Sequence, residues 1–135
     1  MATDALEEDA NMGDSHSWEL PRNSTAPAQG RWHVRGLASS DREAVDAELV
    51  VTELITNAWK HGYGSTAISL RVDVLDDSMH LEVCGEAEGE PSPQGAQPDT
   101  TSGRGLLLID ELATRWGFSR NGSLVCVWAD IPRLD

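Results

Sequence analysis

The sequence predicts an α/β fold, a two-layer sandwich in which helices cover one face of a mixed, mostly antiparallel sheet. Three observations point there. The elements run strand, two helices, hairpin, long loop, helix, hairpin, an order that sets helices against a sheet built from hairpins. The strand-like runs alternate apolar and polar residues, so the sheet is buried on one side. The longest helical run carries one broad apolar face to cover that side. The 135 residues suit one domain with a core of useful size. It is expected over residues 18–135, behind an acidic, disordered tail over residues 1–17.

The elements are justified in turn. Asp4, Glu7, Glu8, Asp9 and Asp14 fall before Trp18 with no Lys or Arg among them, the composition of a solvated tail. Trp18-Glu19-Leu20-Pro21 reads as a short edge strand closed by proline. Ser24 or Thr25 can cap a helix with Pro27 in its first turn, running to about Leu37, although Gly30 and Gly36 weaken it. Ser39-Ser40-Asp41 opens a stronger helix over Asp41 to His61, stopped by Gly62. Ala44, Ala47, Val51, Leu54, Ile55 and Ala58 form its apolar face; Asp46, Glu53, Asn57 and Lys60 lie opposite. Ile68, Leu70, Val72 and Val74 share one face of a strand, Asp76-Asp77-Ser78 turns the chain, and Met79, Leu81 and Val83 return it. Gly85 to Ser102 contains three prolines and no periodicity, the mark of a functional or disordered loop. A helix is expected over Leu106 to Thr114. A hairpin follows, Arg115 to Ser119 and Leu124 to Asp130, with Asn121-Gly122 suited to a type I′ turn.

Composition narrows the function. A formal net charge of -13 argues against nucleic acid, which is bound through clustered Lys and Arg, and against anionic membrane surfaces. A basic protein surface is a more natural partner than nucleic acid, and plain solubility is the better explanation of the charge. No apolar run approaches the roughly 20 residues of a membrane span. The N-terminus lacks the basic start and apolar core of a secretory signal, so the cytoplasm is the expected location. Cys84 and Cys126 are the only cysteines, and buried reduced thiols are expected, with a disulfide between neighbouring strands as the alternative. Trp32, Trp59, Trp116 and Trp128 are expected in the core or an interface.

Two features carry chemistry. Glu53 and Asn57 stand at i and i+4, one turn apart on the polar helix face. Asn is a poor mid-helix residue, and its carboxamide oxygen is a hard donor suited to magnesium. A carboxylate beside it can take a proton from an attacking hydroxyl. An ordinary solvated helix face fits the same spacing. Gly103-Arg104-Gly105 before a helix can offer backbone N–H groups and a guanidinium fork to phosphate. A flexible turn fits that segment as well.

Together the segments are more specific. Glu53-Leu54-Ile55-Thr56-Asn57-Ala58 with Lys60-His61-Gly62 precedes a hairpin and a long loop, then Ser102-Gly103-Arg104-Gly105-Leu106 and Arg115-Trp116-Gly117. This series, over about Trp18 to Pro132, resembles the anti-sigma-factor serine kinases of the GHKL superfamily, the histidine-kinase-like ATPases with the Bergerat-type ATP-binding fold. The resemblance implies an ATP- and magnesium-dependent enzyme that phosphorylates a serine on an anti-anti-sigma partner of the STAS type and so controls a sigma factor. It implies Glu53 as catalytic base and Asn57 as the magnesium ligand. It implies His61, Gly62, Gly103, Arg104, Gly105 and Leu106 as nucleotide-binding residues, Gly85 to Ser102 as a lid, and a homodimer.

One position departs from the pattern. After Leu81-Glu82-Val83-Cys84 the family has an Asp that reads the adenine amino group; this chain has Gly85. Such a charged hydrogen bond contributes about 1.5–3 kcal/mol, and Gly85→Asp is expected to strengthen ATP binding. Glu86 substitutes only if the backbone shifts by one residue. A second reading therefore stands beside the first: a nucleotide-poor, non-catalytic binding module on the same fold, acting by sequestration.

Overall fold

The computed structural model describes residues 14–62, 67–87 and 101–133; the side chains of His61 and of residues 101–106 lie outside that description. In chain order the elements are β1 (Asp14–Leu20), α1 (Ala26–Leu37), α2 (Asp41–His61), β2 (Ile68–Val74), β3 (Ser78–Glu86), α3 (Thr101–Leu112), β4 (Arg115–Asn121) and β5 (Leu124–Pro132). The strands form one sheet in the order β1-β2-β3-β5-β4. All four pairings are antiparallel, so the mostly antiparallel sheet expected is wholly so among the described strands.

Alternation along β2 and β3 sends Ile68, Leu70, Val72, Met79, Leu81 and Val83 to one face, where all are buried. The register sets like against like: Leu70 faces Val83, and Val72 faces Leu81. Helix α2 closes the core over this face with Ala47, Val50, Val51, Leu54 and Ile55, each at most 2% exposed. Ile109 of α3 joins the same cluster. Gly30 of α1 is there for size: a Cβ would run into the Ile55 side chain, so glycine lets α1 and α2 approach closely.

Ser40 caps α2, its hydroxyl accepting from the Glu43 backbone N–H at 3.1 Å. Glu43 reaches back and accepts from the Ser39 backbone N–H at 2.6 Å. This is the reciprocal logic of a capping box, displaced by one residue.

Several expectations are corrected. Residues 14–17, assigned to the tail, belong to β1 and pair with β2; residues 1–13 lie outside the described residues. Helix α3 starts at Thr101, not Leu106, so Gly103-Arg104-Gly105 falls inside the helix. The last hairpin turns at Gly122-Ser123, because Asn121 pairs with Leu124. Of the two turn residues only Gly122 has positive φ, at 64°, the pattern of type II′ rather than I′. Cys84 and Cys126 are register partners on β3 and β5 with Cα atoms 4.0 Å apart, and a disulfide joins them; direct opposition brings the sulfurs together where reduced thiols were expected. Trp32, expected in the core or an interface, is not in the core: it is 73% exposed on α1.

Candidate functional site

The site is built on the C-terminal half of α2, where the helix crosses the covered face of the sheet. Leu54 and Ile55 point into the core, so Glu53 and Asn57, rotated from them by the helical period, occupy a half-buried flank. Glu53 Oε1 and Asn57 Oδ1 are each buried from water and have no hydrogen-bond partner among the described residues. Buried oxygens are almost always bonded; two orphans one turn apart are an unfilled demand for donors or a cation. Burial lifts the Glu53 carboxyl above the ordinary carboxylate range, and the Lys60 ammonium works against that rise. A carboxylate tuned upward is a better proton acceptor near neutral pH. A carboxylate oxygen and a carboxamide oxygen are hard donors, which magnesium takes in small number while keeping several waters. The residues present therefore fit a magnesium site in chemistry.

Other expected site residues divide. Gly62 ends α2 with an extended backbone, φ -86° and ψ -179°, and bridges to Ala87 beyond β3. Its requirement is space: a Cβ would collide with Arg22 and the Ala58 carbonyl oxygen and lie 2.6 Å from the Glu86 carbonyl oxygen. The His61 side chain is outside the described residues. So are those of Arg104 and Leu106; with Gly103 and Gly105 they occupy the N-terminal half of α3, which packs against α2. Of the lid expected over Gly85 to Ser102, residues 88–100 lie outside the described residues.

Gly85 does not hide a register shift. β3 pairs with β5 without interruption from Ser78↔Pro132 to Glu86↔Leu124, and burial alternates through to its end, with Gly85 buried and Glu86 not. Alternation turns residue 86 away from the covered face, so Glu86 does not replace the missing carboxylate. Arg22 was missed by sequence reasoning. It follows β1 and Pro21, and its Nη1 donates to the Ala58 carbonyl oxygen at 2.8 Å. Nothing in the local sequence signals that contact.

A separate concavity of about 450 Å³ is lined by His80, Thr114, Arg115 and Asp130 among others. Its polar groups already pair: His80 Nδ1 lies 2.6 Å from Asp130 Oδ1, and Arg115 Nη2 lies 3.2 Å from Asp130 Oδ2. It is remote from Glu53 and Asn57, because His80 is on the opposite face of β3 from Met79 and Leu81.

The fold has relatives among solved structures. A Mycobacterium tuberculosis protein, solved as its RsbU and RsbW domains, matches with TM-score 0.67 at 15% identity over 90% of this chain. This chain spans 33% of that protein's length. The SiaB-SiaC complex of Pseudomonas aeruginosa contains a chain matching with TM-score 0.65 at 14% identity, covering 97% of this chain and 98% of that one. The blue-light activated histidine kinase of Erythrobacter litoralis matches with TM-score 0.58 at 22% identity over 79% of this chain and 39% of its own. At these identities the likeness is one of fold. No curated protein matches the sequence. The family model described as histidine kinase-like ATPase domain matches residues 26–130, and the chain belongs to that family.

Proposed function

We propose that this chain binds a magnesium nucleotide beside α2 and transfers its terminal phosphoryl group to a serine hydroxyl of a partner protein, as an anti-sigma-factor-like regulator. The observation that carries this reading is the pair of buried oxygens on Glu53 and Asn57 that have no hydrogen-bond partner among the described residues. In this reading Asn57 Oδ1 is a ligand of magnesium. The ion, when bound, neutralises charge on the phosphates, which is most of what phosphoryl transfer needs. Glu53 accepts the proton of the serine hydroxyl, whose oxygen takes the phosphoryl group while the nucleoside diphosphate leaves. Gly103, Arg104, Gly105 and Leu106 would meet the phosphates from α3, with His61 and Gly62 at the end of α2.

The SiaB-SiaC complex holds a chain of related fold together with a second protein, which supports a protein partner here. The reading names a STAS-type anti-anti-sigma protein and a sigma factor as partners, a cytoplasmic location and a homodimer. The charge of -13 favours a basic docking surface and not nucleic acid. Among the described residues no helix is long and apolar enough to cross a membrane.

Calorimetric titration with Mg-ATP, followed by transfer of labelled γ-phosphate to a STAS-type protein, tests the proposal. Binding with serine phosphorylation supports it; no binding at millimolar nucleotide sinks it. The second reading, sequestration without turnover, is favoured by Gly85, where the carboxylate implied by the resemblance is missing. That reading stands if the partner is held stoichiometrically with no transfer.

A further inference from the structure

Gly85 and Gly62 frame a slot, and a guanidinium fills it. A Cβ on Gly85 would lie 3.0 Å from Arg22 Nη2, 3.8 Å from Ala58 Cβ and 3.9 Å from Ile68 Cγ1. A Cβ on Gly62 would strike Arg22 Nη1. The same Nη1 donates to the Ala58 carbonyl oxygen at 2.8 Å, and Ala58 directly follows Asn57. Arg22 is thus held between the last turn of α2 and the end of β3, against the residue that follows Asn57. Glycine at position 62 is required for this fit, whereas a Cβ at position 85 would need the guanidinium to give by a few tenths of an ångström.

Resting on the nucleotide reading above, we infer that Arg22 is the specificity-determining residue of the base end of the nucleotide site and removes its preference for the adenine amino group. A guanidinium is donor-only, and the adenine amino group is also a donor, so the two cannot pair. The loss at Gly85 is therefore one half of an exchange: an acceptor leaves the strand and a fixed donor enters from the segment after β1. Gly85→Asp alone does not restore an adenine reader, because the new carboxylate lies within reach of Arg22 and pairs with it. That revises the sequence-based expectation for this substitution. The site grips a nucleotide by its magnesium-phosphate end and does not favour a 6-aminopurine over a 6-oxopurine.

The test is calorimetry with Mg-ATP and Mg-ITP on four proteins: wild type, Gly85→Asp, Arg22→Gln and the double variant, each checked by thermal unfolding. Arg22→Met, which keeps the stem, replaces Arg22→Gln in both variants if the latter does not fold. The expected result is no ATP preference in wild type and less than threefold gain in Gly85→Asp. The double variant should bind ATP at least tenfold tighter than Gly85→Asp and prefer it to ITP. A tenfold ATP preference in wild type, equal gains in the single and double variants, or no gain in the double overturns the inference. If wild type binds neither nucleotide at millimolar concentration while the double binds ATP, the inference stands and the nucleotide-dependent function falls. If wild type binds ATP and transfers phosphate but the double gains nothing, the function stands and the inference falls. Absence of binding by all four overturns both.

Discussion

Two glutamates on α2 live under opposite conditions. Glu43, in the first turn, is 0% exposed, with one oxygen hydrogen-bonded and the other in an ion pair. Its Oε1 accepts from the Ser39 N–H at 2.6 Å and the Ser39 hydroxyl at 2.9 Å, and its Oε2 lies 3.0 Å from Arg133 Nε. Glu53 is half-buried, and one of its oxygens is buried with no partner among the described residues. Burying a charge is tolerable when its lone pairs are met and costly when they are not. Glu43 is committed to holding the helix start against the C-terminal segment. Glu53 keeps an oxygen in reserve at a cost in stability, a pattern typical of functional positions.

The contrast can be broken at either end. Glu53→Ala should produce the largest change: serine phosphorylation falls by about 10²- to 10⁴-fold, the usual contribution of a general base, while Mg-ATP affinity stays within about threefold. Transfer surviving this change would remove Glu53 from the chemistry. Glu43→Ala should cost about 3 kcal/mol of folding stability by stripping a buried ion pair and part of the cap. Urea unfolding measures it, and a loss below roughly 1 kcal/mol would deny the structural role. Asn57→Ala should weaken Mg-nucleotide binding about tenfold, near 1.4 kcal/mol, and leave metal-free nucleotide binding unchanged. An equal effect with and without magnesium would mean that Asn57 does not serve the ion.

The smallest effect is the most pointed. Burial raises the folded pKa of Glu53 above the ordinary 4.5. Between those two values the folded chain keeps a proton that the unfolded chain has released, so stability contributed by Glu53 is present below 4.5 and lost as pH rises through the folded pKa. Glu53→Gln removes this slope and should stabilise the protein at pH 7 by up to about 1 kcal/mol, the low end for a partly exposed unpaired group. Glu43→Gln should destabilise at the same pH. Urea midpoints of both variants across pH 4 to 7 should therefore move in opposite directions; parallel shifts would erase the distinction between the two glutamates.

Much of the α2 side of the candidate site is legible along the chain. The i, i+4 spacing of Glu53 and Asn57 is a local property, and the bounds of α2 follow from Ser40 and Gly62. The sequence starts α3 too late because Gly103 and Gly105 are weak helix formers; packing against α2 through elements such as buried Ile109 outweighs that preference. Val50 was left out of the expected core face and is fully buried, since a helix under two neighbours buries a wider stripe than its own periodicity suggests. The surroundings of Gly85 are half legible. The missing carboxylate at Gly85 is visible in sequence, but the guanidinium opposite it is not.

The sequence by itself determined what depends on near neighbours: alternation in β2 and β3, the apolar face and cap of α2, and a carboxylate one turn from a carboxamide. These follow from the periods 2 and 3.6 and from side chains reaching three or four residues. Tertiary structure alone decided which distant groups meet: Cys84 with Cys126 by strand register, Glu43 with Arg133 across the core, and Arg22 in the slot between Gly62 and Gly85. Such contacts are set by how elements pack and in what register, and no local preference of an arginine after a proline encodes the space that two remote glycines leave for it.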